Sequence, residues 1–447
     1  MSHAKVLLAQ KQTDLDSILE QIEDGVTVIS KEQKRKVKRS KLLPNTMNQA
    51  VQVPEVLPSK AFTEEEKRRS ITLMYASLKS YRLLKSMNLG IKLGSVPSVR
   101  RWVKNYKCAP GHHNESFVLL QCKVETFTDP LDKNCAIMFD GMATKSVSKW
   151  SPTLKTVIPG SSNCNVVLIR GLNTNWKHII YYDFRNCIDR ETLDTIVVRI
   201  QTTGLVVKVL IMDLGNHTIQ SELRFSEGAR SFKNPSLPGD ILINPDPIHN
   251  FKSMRNHLLD HGIVFQLEDG RRVPIGMETF RMVKDRQAKL GEATMCPKLK
   301  EKHLNCEGHS RQNVLLVFQL LSRSVANCLR VLGEADKGEV INIINDFMDL
   351  CNSRRKFHWN PLECGYGLHL EEQRRCLERF RHLVENMRVN PPKPKPGKEY
   401  KRKLSERKRH TFPPFQKGLL CNIDTIVALS DDLLRSGQEY IFLSKVN

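Results

Sequence analysis

The sequence holds no uninterrupted apolar run approaching the roughly 18 residues of a membrane-spanning helix, so no span and no membrane partner are expected. Its start, MSHAKVLLAQKQTDLDS, lacks the succession of basic residues, apolar core and small-residue cleavage site that marks a secretory signal, which points to the cytosol or the nucleus. The 12 cysteines are scattered from Cys108 to Cys421 with no CxxC pair, so they read as reduced thiols and not as a disulfide framework. HLNCEGH sets His303, Cys306 and His309 at three-residue steps but lacks a fourth ligand, and CAPGHH at 108–113 fares no better, so no zinc is expected. Neither a Walker A sequence nor GxSxG occurs, and no internal repeat is present.

What is abundant is positive charge. Seventy Lys and Arg against 48 Asp and Glu give a net +22, a balance that favours a polyanionic partner, nucleic acid above all. Within 1–60, Leu15, Ile18, Leu19 and Ile22 mark a short amphipathic helix. It either docks on its own domain or belongs to an association element, which leaves a homo-oligomer open. KEQKRKVKRSK at 31–41 is a basic run of nuclear-localisation or phosphate-binding type, ahead of a polar, Pro-spaced linker. Residues 61–110 form a helical module: Thr63 and Glu66 make a capping box, RRSITLMYASLKSYRLLKSM follows with helical periodicity, and after Gly90–Gly94 a second helix opens at Ser95 or Ser98. The second helix carries Arg100, Arg101 and Lys104, which suits a helix-turn-helix entering a DNA groove; a helical hairpin with a basic face fits the same pattern.

Residues 111–270 change character. NCAIMFD, CNVVLIRGL and WKHIIYYDF read as three strands. IDRETLDTIVVRIQTTG reads as a helix capped by Asp189 and closed by Gly204, and LVVKVLIMD as a nearly all-apolar strand covered on both faces. A polar helical stretch, the short strand DILIN and the helix DPIHNFKSMRNHLLD complete the order βββαβαβα, an α/β layout of RNase H-like type. Residues 271–390 are largely helical, clearest in SRQNVLLVFQLLSRSVANCLRVL and GEVINIINDFMDLCNSRRKF. A Pro/Lys/Arg linker at 391–410 leads to the segment 411–447, one more amphipathic helix and a short apolar run.

Asp140 ends the first strand of this layout and Asp213 the fourth, and those two strands lie side by side in an RNase H-like sheet. Two carboxylates crowded at one point repel unless divalent cations lie between them. Such a pair can hold two Mg²⁺ about 3.5–4 Å apart, which activate a water or a 3′-OH and stabilise the leaving oxygen of a phosphodiester. Taken singly, each Asp is also an ordinary strand-end residue. Asp246, His249, Lys252, Arg255 and Asn256 follow at helical spacing by the same sheet edge. Asp246 caps its helix and supports the metal ligands from behind, with His249 beside it, while the cations face phosphates.

Several segments together resemble the P-element-type DNA transposases, including the THAP-domain transposase relatives. They are SVPSVRRW, FDGM at a strand end, DLG after a strand, DPIHNFKSMRN, SRSVA, NDFMDLCNS and FQKG, in that order over roughly 60–447. The resemblance implies an RNase H-like DDE catalytic domain, at 111–270 and 411–447, interrupted by a helical insertion at 271–390 that binds GTP with Mg²⁺. In that family GTP assists assembly on transposon DNA. Asp140 and Asp213 then match the first two catalytic acids. Asn345, Asp349 and Asn352 lie on one helical face where a carboxylate accepts the N1–H and N2–H of guanine, with Lys298 as a phosphate contact. Ile341, Ile344, Met348 and Cys351 give the same helix an ordinary core stripe.

The chain departs from the family's pattern twice. It has no cysteine before Cys108, so the THAP zinc finger's ligand set is not present. The family's third acid is a Glu beyond a segment that YIFLSKVN approaches, and Glu439 precedes that segment. The expectation is a transposase-like, DNA-binding chain in the nucleus with little strand-transfer activity, as a truncated or domesticated derivative. Three other readings stay open: a non-catalytic DNA- or GTP-binding protein, an active nuclease that recruits Asp246 or a partner's carboxylate, and a gene-model fragment whose next exon supplies the Glu.

Overall fold

The computed structural model describes residues 62–87, 90–103, 109–152, 154–158, 160–185, 187–289, 295–391 and 412–446. The amphipathic pattern at 15–22, the basic run 31–41, Lys104 and the linker 392–410 lie outside the described residues. The chain divides into two units, residues 1–108 with 151–156, and residues 109–150 with 157–447.

Among its described residues the first unit has three helices, α1 (Glu64–Ala76), α2 (Leu78–Met87) and α3 (Val96–Val103). The expected capping box closes α1: Glu66 N–H donates to Thr63 Oγ1 at 3.2 Å, and Thr63 N–H to Glu66 Oε2 at 2.8 Å. The single helix expected over 68–87 is broken at Ser77, whose backbone is extended. Ser95, not Ser98, caps α3, accepting from Ser98 N–H at 3.1 Å. Met74, Tyr81, Leu93 and Val99 form the small core, and the Tyr81 hydroxyl donates to Gly94 O at 2.6 Å to hold the turn.

The second unit is built on a seven-stranded sheet of β1 (Gly111–His112), β2 (Asn134–Ala143), β3 (Asn163–Gly171), β4 (Lys177–Asp183), β5 (Val206–Met212), β6 (Ser231–Lys233) and β7 (Asp240–Pro245). Its order is β1-β4-β3-β2-β5-β7-β6. β2, β3 and β4 pair antiparallel, and β2, β5 and β7 pair parallel, the RNase H-like arrangement read from the sequence. Alternation divides the sheet's residues between two cores. Ile137, Phe139, Leu210, Met212 and Ile243 face one core, with α4 (Asn114–Glu125) and α5 (Arg190–Gln201). Ala136, Val209 and Ile211 face the other, under α7 (Pro247–Asp260) and α13 (Pro414–Arg435). As expected, Asp189 caps α5, accepting from Thr192 N–H at 2.9 Å, and Gly204 closes it with a φ of +91° that a β-carbon disfavours. The short helix α6 (His217–Glu222) is the polar helical stretch.

The second core continues into α8 (Met277–Lys289), α9 (Val314–Leu320), α10 (Arg323–Val331), α11 (Ala335–Cys351) and α12 (Leu370–Asn386). Phe347 of α11 stacks on Phe380 of α12 with centroids 4.0 Å apart, and Phe251 of α7 meets Phe347 at 5.9 Å. Residues 271–390 are largely helical, as read from the sequence, with short strands at both ends: β8 (Ile263–Gln266) pairs with β9 (Arg272–Ile275) on one side and with β10 (Arg388–Val389) on the other. One expectation for this region is corrected. Val314–Val331, long and apolar enough by length and composition to cross a membrane, is not one helix. It breaks at Leu321–Ser322, because the side chain of Asn345 accepts the first free N–H of α10, Arg323 N, at 3.1 Å. Leu316, Leu320, Val325 and Leu329 then pack into the core from two directions. GEVIN…SRRKF also stops short, at Cys351.

A row of acids at the candidate DNA-processing cleft

The parallel pairing of three strands stops at one level, although β2 does not end at Asp140 as the sequence suggested but runs on to Ala143 against β3. Phe139 of β2 pairs with Met212 of β5, and Met212 with Pro245 of β7. The next residue on each strand is an aspartate: Asp140, Asp213 and Asp246. Adjacent strands lie about 4.8 Å apart, so the row is compact. Strand alternation turns Asp140 and Asp213 to the face of Met138 and Ile211, away from the first core. All three acids and His249 line one cleft of about 510 Å³.

Each acid has a different setting. The Asp140 side chain reaches solvent, yet the packed walls of the cleft raise its carboxyl above the usual range; His249 opposes the rise, and Asp213 and Asp246 add to it. Asp213 folds over its own turn and accepts from Gly215 N–H at 3.1 Å. Asp246 caps α7, accepting from Ile248 N–H at 2.8 Å, and meets His249 Nδ1 at 2.5 Å. Burial alone would push the Asp246 carboxyl up, but the His249 hydrogen bond and charge, the Ile248 N–H and Lys252 together hold it below its ordinary value. The same hydrogen bond to Asp246 lifts His249, against the effect of its burial.

Among the described residues no group of three or more His, Cys, Asp and Glu side chains is arranged to hold a metal ion. What the row offers is two carboxylates not tied to a cation, Asp140 and Asp213, close enough that Asp213 disfavours ionisation of Asp140. That donor set fits Mg²⁺, which takes one or two carboxylates and completes its octahedron with water and phosphate oxygens. Among the described residues no Glu lines the cleft. Glu439 instead pairs with Lys356 at 2.9 Å.

Other expected site residues fare unevenly. Arg255 does not face phosphates: it is fully buried, donating to Arg311 O at 2.6 Å and to Cys306 Sγ at 3.3 Å. Cys306 and His303 are thus turn-holding residues, with His303 Nε2 at 2.8 Å from Gln319. Asn345 and Asp349 are brought together, Asn345 donating to Asp349 Oδ2 at 2.9 Å, and Asn360 adds a second bond to the same oxygen at 3.2 Å. Asn345 is therefore a positioning residue that also caps α10. Burial pushes the Asp349 carboxyl up to about 6, opposed by Arg323. Asn352 is exposed at the end of α11. Lys298 is exposed in a turn, and among the described residues no hydrogen bond or ion pair links it to Asp349. Arg100 and Arg101 are exposed on α3.

The sequence reading missed Arg170 and Lys177, a directly opposed pair on β3 and β4 that lines the same cleft. The available signal was the one that exposed Asp140, a charge at the end of an apolar strand, here VVLIR.

The sheet order, the aligned acids and the helical excursion between α7 and α13 define an RNase H-like domain interrupted by an insertion. Residues 108–222 match the family model described as TNP-like, RNase H N-terminal domain, and residues 248–362 that described as TNP-like, GTP-binding insertion domain. The chain belongs to the P-element-type transposases. It is 24% identical over 402 residues to the transposable element P transposase of Drosophila melanogaster, an alignment covering 86% of this chain and 49% of that protein. The chain thus spans about half the length of the curated relative it matches. The structure of the Drosophila P element transposase strand transfer complex shares the fold, with a TM-score of 0.70 and 23% identity over 93% of this chain and 90% of that one.

Proposed function

We propose that the cleft is a Mg²⁺-dependent site for phosphodiester chemistry on DNA, with Asp140 and Asp213 as metal ligands and Asp246, oriented by His249, supporting them. The observation that carries this reading is the alignment of three aspartates at the level where the parallel pairing stops, with Arg170 and Lys177 lining the same cleft to face phosphates. When bound, the metal would supply an activated oxygen nucleophile and stabilise the leaving oxygen. By itself the chain cleaves slowly on this reading, because its third acid is committed to His249 and Ile248 N–H and, among the described residues, no glutamate lines the cleft. Arg100 and Arg101 on α3 support duplex contact by the first unit in the manner of a helix-turn-helix. The basic run 31–41 supports a nuclear location.

Two measurements on the 447-residue chain test the cleft. Calorimetric titration is expected to show Mg²⁺ or Mn²⁺ binding that Asp140→Ala weakens at least about tenfold. Cleavage of a P-like DNA end with Mg²⁺ is expected to be orders of magnitude below that of an enzyme with a full acid triad. Robust Asp140-dependent cleavage would overturn the slow reading, and metal binding indifferent to Asp140→Ala would overturn the cleft itself.

The match to the GTP-binding insertion domain supports a second role, guanine nucleotide binding at α11. Asp349 has one oxygen occupied by Asn345 and Asn360, which leaves Oδ1 to accept from a guanine N–H. Only the ionised carboxylate keeps that acceptor free of a proton. With a folded-state pKa of about 6, GTP affinity is expected to hold above pH 7 and to fall as pH drops through 6, approaching tenfold per unit. Asp349→Asn is expected to remove this pH dependence along with most of the affinity. A parent chain whose GTP affinity is flat from pH 7.5 to pH 5 would exclude Asp349 as the acceptor.

A further inference from the structure

Beside the acidic cleft, the chain's tail and the loop after α11 set aromatic rings and cations in alternation. The loop SRRKFHWN, 353–360, is anchored at both ends. Ser353 Oγ accepts from Leu443 N–H at 3.1 Å and Ser353 O from Ser444 N–H at 3.2 Å. At the other end the buried Asn360 bonds Asp349. Between these anchors Phe357 is 83% exposed and Trp359 76% exposed, so two large rings are held in water by a pinned loop.

The rings continue inward. Lys356 Nζ lies 5.9 Å from the Phe357 centroid and 5.2 Å from that of Tyr440. The Tyr440 and Phe442 centroids are 5.1 Å apart, and Lys445 Nζ is 5.6 Å from Phe442. Arg170, whose guanidinium donates to Ser444 O at 3.0 Å, brings the ribbon to the cleft it lines. Gly365 permits this packing, since a β-carbon there would fall 2.5 Å from the Tyr440 ring. Arg354 and Arg355 are exposed on the same loop, and no acid among the described residues pairs with either. The Lys356–Glu439 pair is solvent-facing, a weak contact that a phosphate can replace.

We infer that this ribbon is a track for a single DNA strand with unpaired bases, running from the acidic cleft to the loop 353–360. Phe357 and Trp359 stack on bases there, while Arg354, Arg355 and Lys356 face phosphates. Aromatic faces take any base, and cations between them follow the backbone without reading sequence. A duplex hides its base faces in its own stack, so rings this exposed serve unpaired nucleotides. Apolar rings alone would suit a protein surface; Arg354, Arg355 and Lys356 beside them, with Arg170 at the cleft, favour a polyanion.

The inference rests on reading the cleft as a DNA-processing site, and its test is kept separate by working without metal. The full chain is titrated in EDTA with oligo-dT and with a duplex, followed by fluorescence anisotropy. Phe357→Ala with Trp359→Ala is expected to weaken oligo-dT binding at least about tenfold and to leave duplex binding within about twofold. Trp359→Phe keeps a ring and is expected to retain most of the affinity, which separates stacking from damage to the loop. Unchanged oligo-dT binding by the double variant overturns the inference. So does a double variant that loses self-association or GTP binding while holding oligo-dT as well as the parent. An inert cleft in the cleavage assay leaves the binding result standing, so the two readings fail independently.

Discussion

In EDTA, the chain carrying Asp140→Asn and Asp213→Asn is expected to bind duplex DNA about a hundredfold more tightly than the parent, and in Mg²⁺ the order is expected to reverse. Three carboxylates end at one level on adjacent strands, so a phosphate entering the cleft meets negative charge before it meets Arg170 or Lys177. A unit charge at about 4 Å is worth about 4 kcal/mol at an effective dielectric constant near 20. Solvent and salt reduce that at the cleft mouth to about tenfold in affinity per carboxylate. Asparagine keeps the shape of both residues and an oxygen for the Gly215 N–H. With Mg²⁺ the parent's carboxylates hold the cation that bridges to phosphate, and the amides do not. Anisotropy titrations in the two buffers read both halves, and equal parent and variant affinities in EDTA would remove the electrostatic account of the row.

The second large effect is on stability. Asn422→Leu is expected to cost about 3 kcal/mol, because three buried groups lose their partner and each unmet group costs about 1–3 kcal/mol. Asn422 is fully buried on α13. It accepts from Asn250 Nδ2 at 3.0 Å and donates to Asn244 Oδ1 at 2.7 Å and to Pro245 O. Asn244 in turn donates to Val446 O, so the network joins α7, α13, the tail and the end of β7. Gly418 of FQKG belongs to it: a β-carbon there would lie 2.5 Å from Asn250 Oδ1. Urea unfolding is expected to show a lower midpoint at an unchanged slope. A midpoint equal to the parent's would mean that the network contributes nothing net.

The sheet was legible where local signals agreed. The apolar run stopped by Asp213 read as a strand end, Asp189 and Asp246 as helix caps, and Thr63 with Glu66 as a capping box, whereas β2 runs past Asp140 to Ala143 because β3 keeps pairing with it. Legibility failed where a distant contact decided the outcome. The break at Leu321–Ser322 depends on Asn345, 22 residues on, and β8 finds its partner β10 across the whole insertion, Ile263 against Val389. Asp246 looked like a helix cap set behind two ligands, because the register that makes it the third member of the row passes through Pro245 in a strand of six residues. Arg255 looked like a phosphate contact because its helix opens at the cleft. The face it occupies turns inward, towards Cys306 and Arg311. Arg170 and Lys177 needed an antiparallel register that no single strand carries.

The Phe251–Phe347 contact gives the molecule a mechanical linkage. α7 begins at Asp246, carries His249 in its first turn and presents Phe251 just beyond. α11 carries Phe347 two residues before Asp349. A close-packed interior passes displacement on without absorbing it, so a shift of α11 along its axis pushes on α7 within a turn of the acidic row. The insertion is clipped at its neck by the β8–β10 pair, where Asn390 N–H donates to Gly262 O at 3.0 Å. The Phe251–Phe347 contact thus ties the helix that carries Asp349 to the helix that Asp246 caps.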